Sequence, residues 1–237
     1  NVLKRLQTIP NIKIAGLHIH RTTHSRSVDF YYNLISYASQ IIKKYQLSLD
    51  YLDIGGGYYG IFKNKPTYQD YCKAISKSLQ DNNIGPLKII IEPGNGIVAS
   101  AFSFLTEIID IKHTAPNLCF VTTDGSRNDI DPLFKKTDYI KDIIYRSTND
   151  QRDIIKTQNI VGCTCLEFDR MFTLNDSYQL IAGDRILYKN VGAYTMCLSP
   201  LFIRYFPKVY SKQNDRYKIV REQWTEQEYL NLSHYYE

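Results

Sequence analysis

The sequence predicts an α/β half followed by a mostly β half. Three observations carry that prediction. Short apolar runs recur at nearly even spacing: IKIAGLHIH (12–20), LDYLDIGGG (49–57) and LKIIIEPG (87–94). The segments between them have helical periodicity, and near-continuous apolar strands joined by crossover helices mean a parallel sheet covered on both faces. From about residue 101 the texture changes to short β-rich runs separated by Asn, Asp, Gly and Pro.

Taken in order, the first run is a strand ending at His20. The next segment, VDFYYNLISYASQIIKKYQL, places Phe30, Leu34, Tyr37, Ala38, Ile41, Ile42 and Tyr45 on one inward helical face. The second run is a strand ending in three glycines. TYQDYCKAISKSLQDN then repeats the helical pattern, with Tyr71, Ala74, Ile75 and Leu79 inward and Thr67 as N-cap after Pro66. The third run ends in Glu92-Pro93-Gly94. Three such units are too few for a (β/α)8 barrel, which takes about 250 residues, so they read as the last part of one. FSFLTEIIDIKH, NLCFVTTDGS, NIVGCTC, DRILYKNVGAY and RYKIVREQW follow with no long amphipathic helix between most of them. They predict an antiparallel sheet or barrel. The expected domains are 1–101 and 102–237.

Composition narrows the function. No run approaches the roughly 18 apolar residues of a membrane span. Five cysteines, at 72, 119, 163, 165 and 197, are odd in number and lack CxxC spacing. That predicts no zinc or disulfide framework and a reducing, cytoplasmic setting. The net charge of +5 is scattered over the chain, and aromatic and basic residues follow no nucleic-acid module pattern. Neither nucleic acid nor a membrane is an expected partner.

The strand ends carry the chemistry, because ligands gather at the carboxyl ends of parallel strands. Alone, Gly55-Gly56-Gly57 reads as a turn or as bare backbone for an anion such as phosphate. Its alignment with His20 and Glu92 favours the anion. Each neighbour has a plain reading too: His18 and His20 alternate and share one face, and Glu92 stands where it can cap a helix starting at Asn95. A metal site of His18, His20 and His24 is not expected, since no carboxylate or cysteine follows at ligand spacing.

GLHIHRTTH, LDIGGGYYG, IEPGNGIVAS, GCTCLEFDRM and GDRILYKNVGAYT, in that order, resemble the motifs of the fold-type III pyridoxal-phosphate decarboxylases. This family includes the ornithine, diaminopimelate and arginine enzymes. The resemblance covers nearly the whole chain. It implies the C-terminal part of a (β/α)8 TIM barrel followed by a β-barrel or β-sandwich domain. It further implies pyridoxal 5'-phosphate as cofactor, an amino acid as substrate and a homodimer with a shared active site. Gly55, Gly56 and Gly57 then resemble the phosphate loop, helped by the backbone at Gly94, by Thr23 and by the Tyr194 hydroxyl. His20 resembles the imidazole stacked on the pyridine, and Glu92 the carboxylate paired with its nitrogen. Cys165 resembles the cysteine that protonates Cα from the partner subunit, with Asp169 at the matching aspartate.

Three departures stand beside the resemblance. The lysine that binds the cofactor covalently lies upstream of the histidine motif in the family, and no residue here matches it. That leads to the expectation of a C-terminal fragment, or else of a shortened homologue that is a noncatalytic regulator. Leu166 stands where an acid reads the distal ammonium, while Glu167, if on a strand, faces the other way. Asn95 replaces an expected arginine after EPG, and Asp131 lies near the position of another. An amino acid with an unusual distal group is the expected substrate.

Overall fold

The structure is a computed structural model, and it describes residues 2–234. The chain divides into two compact units, the first ending at Phe102 and the second beginning at Ser103. No helix among the described residues is long and apolar enough to cross a membrane.

The first unit runs α1 (Val2–Leu6), β1 (Gly16–Ile19), α2 (Val28–Tyr45), β2 (Tyr51–Ile54), α3 (Tyr68–Asp81), β3 (Lys88–Ile91) and α4 (Asn95–Val98). The three strands form a parallel sheet in the order β1-β2-β3, with His18 level with Asp53 and Asp53 level with Ile90. Thr67 caps α3 in a capping box with Asp70, and Ser27 caps α2 by accepting from the Phe30 N–H. Leu52 and Ile54 of β2 pack with Tyr31, Ile35, Ala38, Tyr71 and Ile75 of the two helices.

Two expectations need correction here. The inward face of α2 is Tyr31, Ile35, Ala38 and Ile42, with Phe30 and Leu34 at its margin, while Tyr37 is 63% exposed. Tyr31, absent from the expected face, is fully buried, with its hydroxyl donating to the Gly57 carbonyl. The sheet is also covered on one face only among the described residues. The face bearing His18, Asp53 and Ile90 is open or half-open.

The second unit runs β4 (Ser103–Ala115), β5 (Leu118–Thr123), α5 (Arg127–Ile130), β6 (Lys141–Ile144), β7 (Ile154–Val161), β8 (Arg170–Tyr178), β9 (Arg185–Lys189), β10 (Val209–Gln213), β11 (Arg216–Arg221) and α6 (Glu226–Leu230). Six strands form one sheet in the order β6-β9-β4-β5-β7-β8, and β10 pairs with β11 separately. The expected antiparallel sheet is in fact mixed, for β5 and β7 run parallel. The chain leaves the sheet's centre after β5, forms β6 on its edge, and returns beside β5 in the same direction. Ile108, Val121, Ile130, Ile160, Met171, Leu180, Ile186 and Tyr188 form the core.

Candidate functional site

In the first unit the three strand ends meet. Gly55 donates its N–H to the Ile19 carbonyl at 3.0 Å, and Glu92 donates to the Ile54 carbonyl at 3.2 Å. The parallel register therefore continues one step past the strands and sets His20, Gly55 and Glu92 side by side. A Cβ on Gly55 would stand 2.6 Å from His20 Nδ1 and 3.1 Å from Glu92 Oε2. The imidazole and the carboxylate thus face each other across a residue whose missing side chain makes the approach possible. Glu92 does not cap α4, whose N-cap is Gly94 with no side-chain bond.

The glycine loop is shaped for bare backbone. Gly56 has φ +120°, and a Cβ there would sit 2.8 Å from Tyr31 Oη. A Cβ on Gly57 would stand 2.3 Å from the Thr23 carbonyl oxygen. Among the described residues neither the Gly56 nor the Gly57 N–H has an acceptor. Gly60 lies against the Gly96 carbonyl, so the loop borders the segment that contains Gly94 and Asn95. Asn95 Oδ1 is buried there without a partner.

Three tyrosines hold this loop: Tyr31 and Tyr58, which the sequence reading passed over, and Tyr71, expected only as an inward residue of its helix. Tyr31 Oη donates to the Gly57 carbonyl at 2.9 Å, Tyr58 Oη to the Ile54 carbonyl at 3.1 Å, and Tyr71 Oη to the Arg26 carbonyl at 2.7 Å. Their rings pack at centroid distances of 4.6 and 5.1 Å. Burial pushes the Tyr31 phenol up to about 12, and burial raises Tyr58 and Tyr71 as well. All three remain protonated donors at neutral pH. With its carbonyl tied inward to Tyr31, Gly57 cannot turn the peptide that follows it toward the mouth.

In the second unit, Cys165 and Leu166 lie in the 162–169 loop between β7 and β8, not on a strand. The expectation that Glu167 faces opposite to Leu166 by strand alternation is therefore corrected. Asp169 N–H closes a turn onto the Leu166 carbonyl at 2.9 Å. Asp169 is 3% exposed and fully engaged: Oδ1 accepts from Arg127 N–H at 2.7 Å, and Oδ2 accepts from Thr164 N–H and Oγ1 at 3.1 and 2.5 Å. It organises the loop that displays Cys165, which is exposed. Cys163 in the same loop is half-buried, and burial pushes its thiol up. Asp131 is buried and accepts from Arg127 Nη2, Lys136 N–H and Tyr139 Oη. Tyr194 is exposed, at φ +68°, with its carbonyl accepting from the Leu198 N–H at 2.9 Å.

Comparison with known proteins adds four findings. Residues 1–99 match the family model described as the pyridoxal binding domain of pyridoxal-dependent decarboxylases. Diaminopimelate decarboxylase of Helicobacter pylori is 32% identical over 152 residues, which is 62% of this chain and 36% of that protein. Antizyme inhibitor 2 of Xenopus laevis is 27% identical over 165 residues, 64% of this chain and 36% of that protein. The matched segments thus span about a third of the length of these two relatives. In fold, the crystal structure of the Helicobacter pylori diaminopimelate decarboxylase complexed with L-lysine aligns with a TM-score of 0.77 at 21% identity. That alignment covers 98% of this chain and 58% of that one. Residues 1–99, which carry the histidine, glycine and glutamate strand ends, thus match the pyridoxal binding domain of the pyridoxal-dependent decarboxylases.

Proposed function

We propose that this chain is part of a pyridoxal-phosphate-dependent amino-acid decarboxylase. In this reading the first unit is the C-terminal part of a (β/α)8 barrel and the second is the β-barrel or β-sandwich domain that follows it. One observation carries the reading: His20 Nδ1 and Glu92 Oε2 face each other over Gly55, beside two glycine N–H groups without an acceptor.

The residues suit the cofactor. The Gly56 and Gly57 N–H groups would donate to its phosphate, with Thr23 and the backbone at Gly94 in the same unit, and the resemblance assigns Tyr194 to the same group. Glu92 would hold a proton on the pyridine nitrogen, and His20 would lie against the ring. When bound, pyridoxal phosphate supplies the electron sink for the pair released as carbon dioxide leaves Cα. Cys165 would supply the proton that replaces the carboxylate, from the partner subunit of a homodimer. Asn95 and Leu166 line the distal side of the substrate, and Asp169 positions the loop of Cys165. The setting is cytoplasmic.

Resemblance to an antizyme inhibitor keeps a second reading open, a homologue that regulates without catalysing. Two measurements on the full-length protein separate them, pyridoxal-phosphate binding and carbon dioxide release across a panel of amino acids. Decarboxylation with bound cofactor is the expected result. Cofactor binding with no turnover on any amino acid supports the regulator. No cofactor binding at all overturns both cofactor roles given to His20 and Glu92.

A further inference from the structure

We propose that the carboxyl end of the three-stranded sheet also binds a divalent transition-metal ion of the zinc class, ligated by His18, His20 and Glu92. One ligand atom from each of these residues lies within 4.8 Å of the others. Strand alternation puts both imidazoles on one face, and their rings lie 15° from parallel with centroids 6.3 Å apart. Glu92 comes from the end of β3, two strands away, and reaches the pair because Gly55 offers no side chain in between. This is the carboxylate that spacing along the sequence could not supply.

A second observation points to a cation. Asp53, on the middle strand level with His18, places Oδ2 3.3 Å from His18 Nδ1. A carboxylate behind a histidine is the usual outer partner of a metal-bound imidazole, fixing its tautomer and raising its basicity. The other oxygen, Asp53 Oδ1, is buried without any partner. One oxygen of the Asp53 carboxylate therefore faces His18, while the other has no hydrogen-bond partner beside the cluster. Two imidazoles and one carboxylate form an N/O set suited to zinc or cobalt, with a fourth position open to water. All three ligands are exposed, so an ion has a path in.

The ion and the cofactor exclude one another, since both use His20 and Glu92. This exclusion rests on the function proposed above, whereas the binding of the ion does not. The test uses the full-length protein freed of cofactor. Zinc is titrated by calorimetry, and cobalt(II) by the visible d–d absorption of a low-symmetry site. One ion per chain is expected. His18→Ala and Glu92→Gln should each abolish the cobalt spectrum, and Asp53→Asn should weaken binding by about ten- to a hundredfold while circular dichroism stays unchanged. Pyridoxal phosphate should displace the ion. Absence of saturable binding overturns the proposal, and so does binding unaffected by both His18→Ala and Asp53→Asn. Ion binding that ignores pyridoxal phosphate overturns the exclusion. Failure of pyridoxal phosphate to bind the metal-free chain refutes the cofactor reading and leaves the ion's binding supported.

Discussion

Tyr31 shows how a residue remote from any ligand can shape the candidate site. Its hydroxyl donates to the Gly57 carbonyl from within the core, where Gly57 itself is buried. Tyr31→Phe leaves that carbonyl unpaired, a cost of about 1–3 kcal/mol. It also frees the glycine loop to rotate its peptides. The expected outcome is a lower denaturation midpoint together with weaker binding of pyridoxal phosphate. Binding of pyridoxal, which lacks the phosphate, should change little. Equal weakening of both ligands would mean that Tyr31 acts through general stability alone. At Leu166 the expectation concerns specificity. Without an acid there, a distal ammonium lacks a charge-assisted partner of roughly 1.5–3 kcal/mol, or about ten- to a hundredfold in rate. In the full-length protein, Leu166→Glu should raise carbon dioxide release from ornithine or lysine, measured against the unmodified protein. Efficient turnover of meso-diaminopimelate by the unmodified protein would refute the assignment. At this scale the sequence was readable where one strand end carried one distinctive group, as at His20, Gly55 and Glu92. It was opaque where contacts cross strands. Asp53 beside His18, and Tyr31, Tyr58 and Tyr71 around one loop, are joined by register and packing rather than by spacing.

Among elements, α3 is the clearest case of local sequence deciding structure. Thr67 Oγ1 accepts from the Asp70 N–H at 3.3 Å, and Asp70 Oδ2 accepts from the Thr67 N–H at 2.8 Å. That exchange satisfies donors that the first helical turn leaves open. Thr67→Ala should cost about 1 kcal/mol, and Thr67→Ser almost nothing, read from urea denaturation. Strands were less legible than helices. The first three were visible because each is apolar on the face against the helices and ends in a distinctive group. β8 was hidden, since RMFTLNDSY buries only Met171 and Phe172 and its remaining positions are exposed or half-exposed. β6 was hidden by being four residues long on a sheet edge. The parallel pairing of β5 with β7 depends on where the chain returns after an excursion, which no local pattern encodes.

At the scale of the whole molecule, the acid sensitivity of the chain should sit in the second unit. In the first, the carboxyls lowered by hydrogen bonds, Asp70 and Asp81, are solvent-exposed and screened. In the second, Asp184 is fully buried. It accepts from Arg152 at 2.6 and 2.8 Å, and from the Arg146 and Ile181 N–H groups at 2.9 Å each. Burial alone raises its carboxyl, but these hydrogen bonds outweigh burial and hold it below its ordinary value. A group lowered on folding adds stability that is full above the unfolded value, near pH 4, and is lost as pH falls through the folded value. Asp129 in the same unit works with the opposite sign. Burial raises its carboxyl despite the Ser126 N–H and Arg204. Its contribution is present below the unfolded value and lost as pH rises through the folded one. Asp184→Asn strands Arg152, itself 7% exposed at the side chain, and should cost about 3–5 kcal/mol at pH 7. It should also flatten the fall in stability below pH 4, about where free carboxylates titrate. Asp129→Asn should instead stabilise the chain at neutral pH relative to acid. Urea midpoints between neutral and acid pH for the three proteins test both signs. If all three lose stability with the same slope on acidification, the acid response belongs to other carboxylates and Asp184 is only a structural anchor.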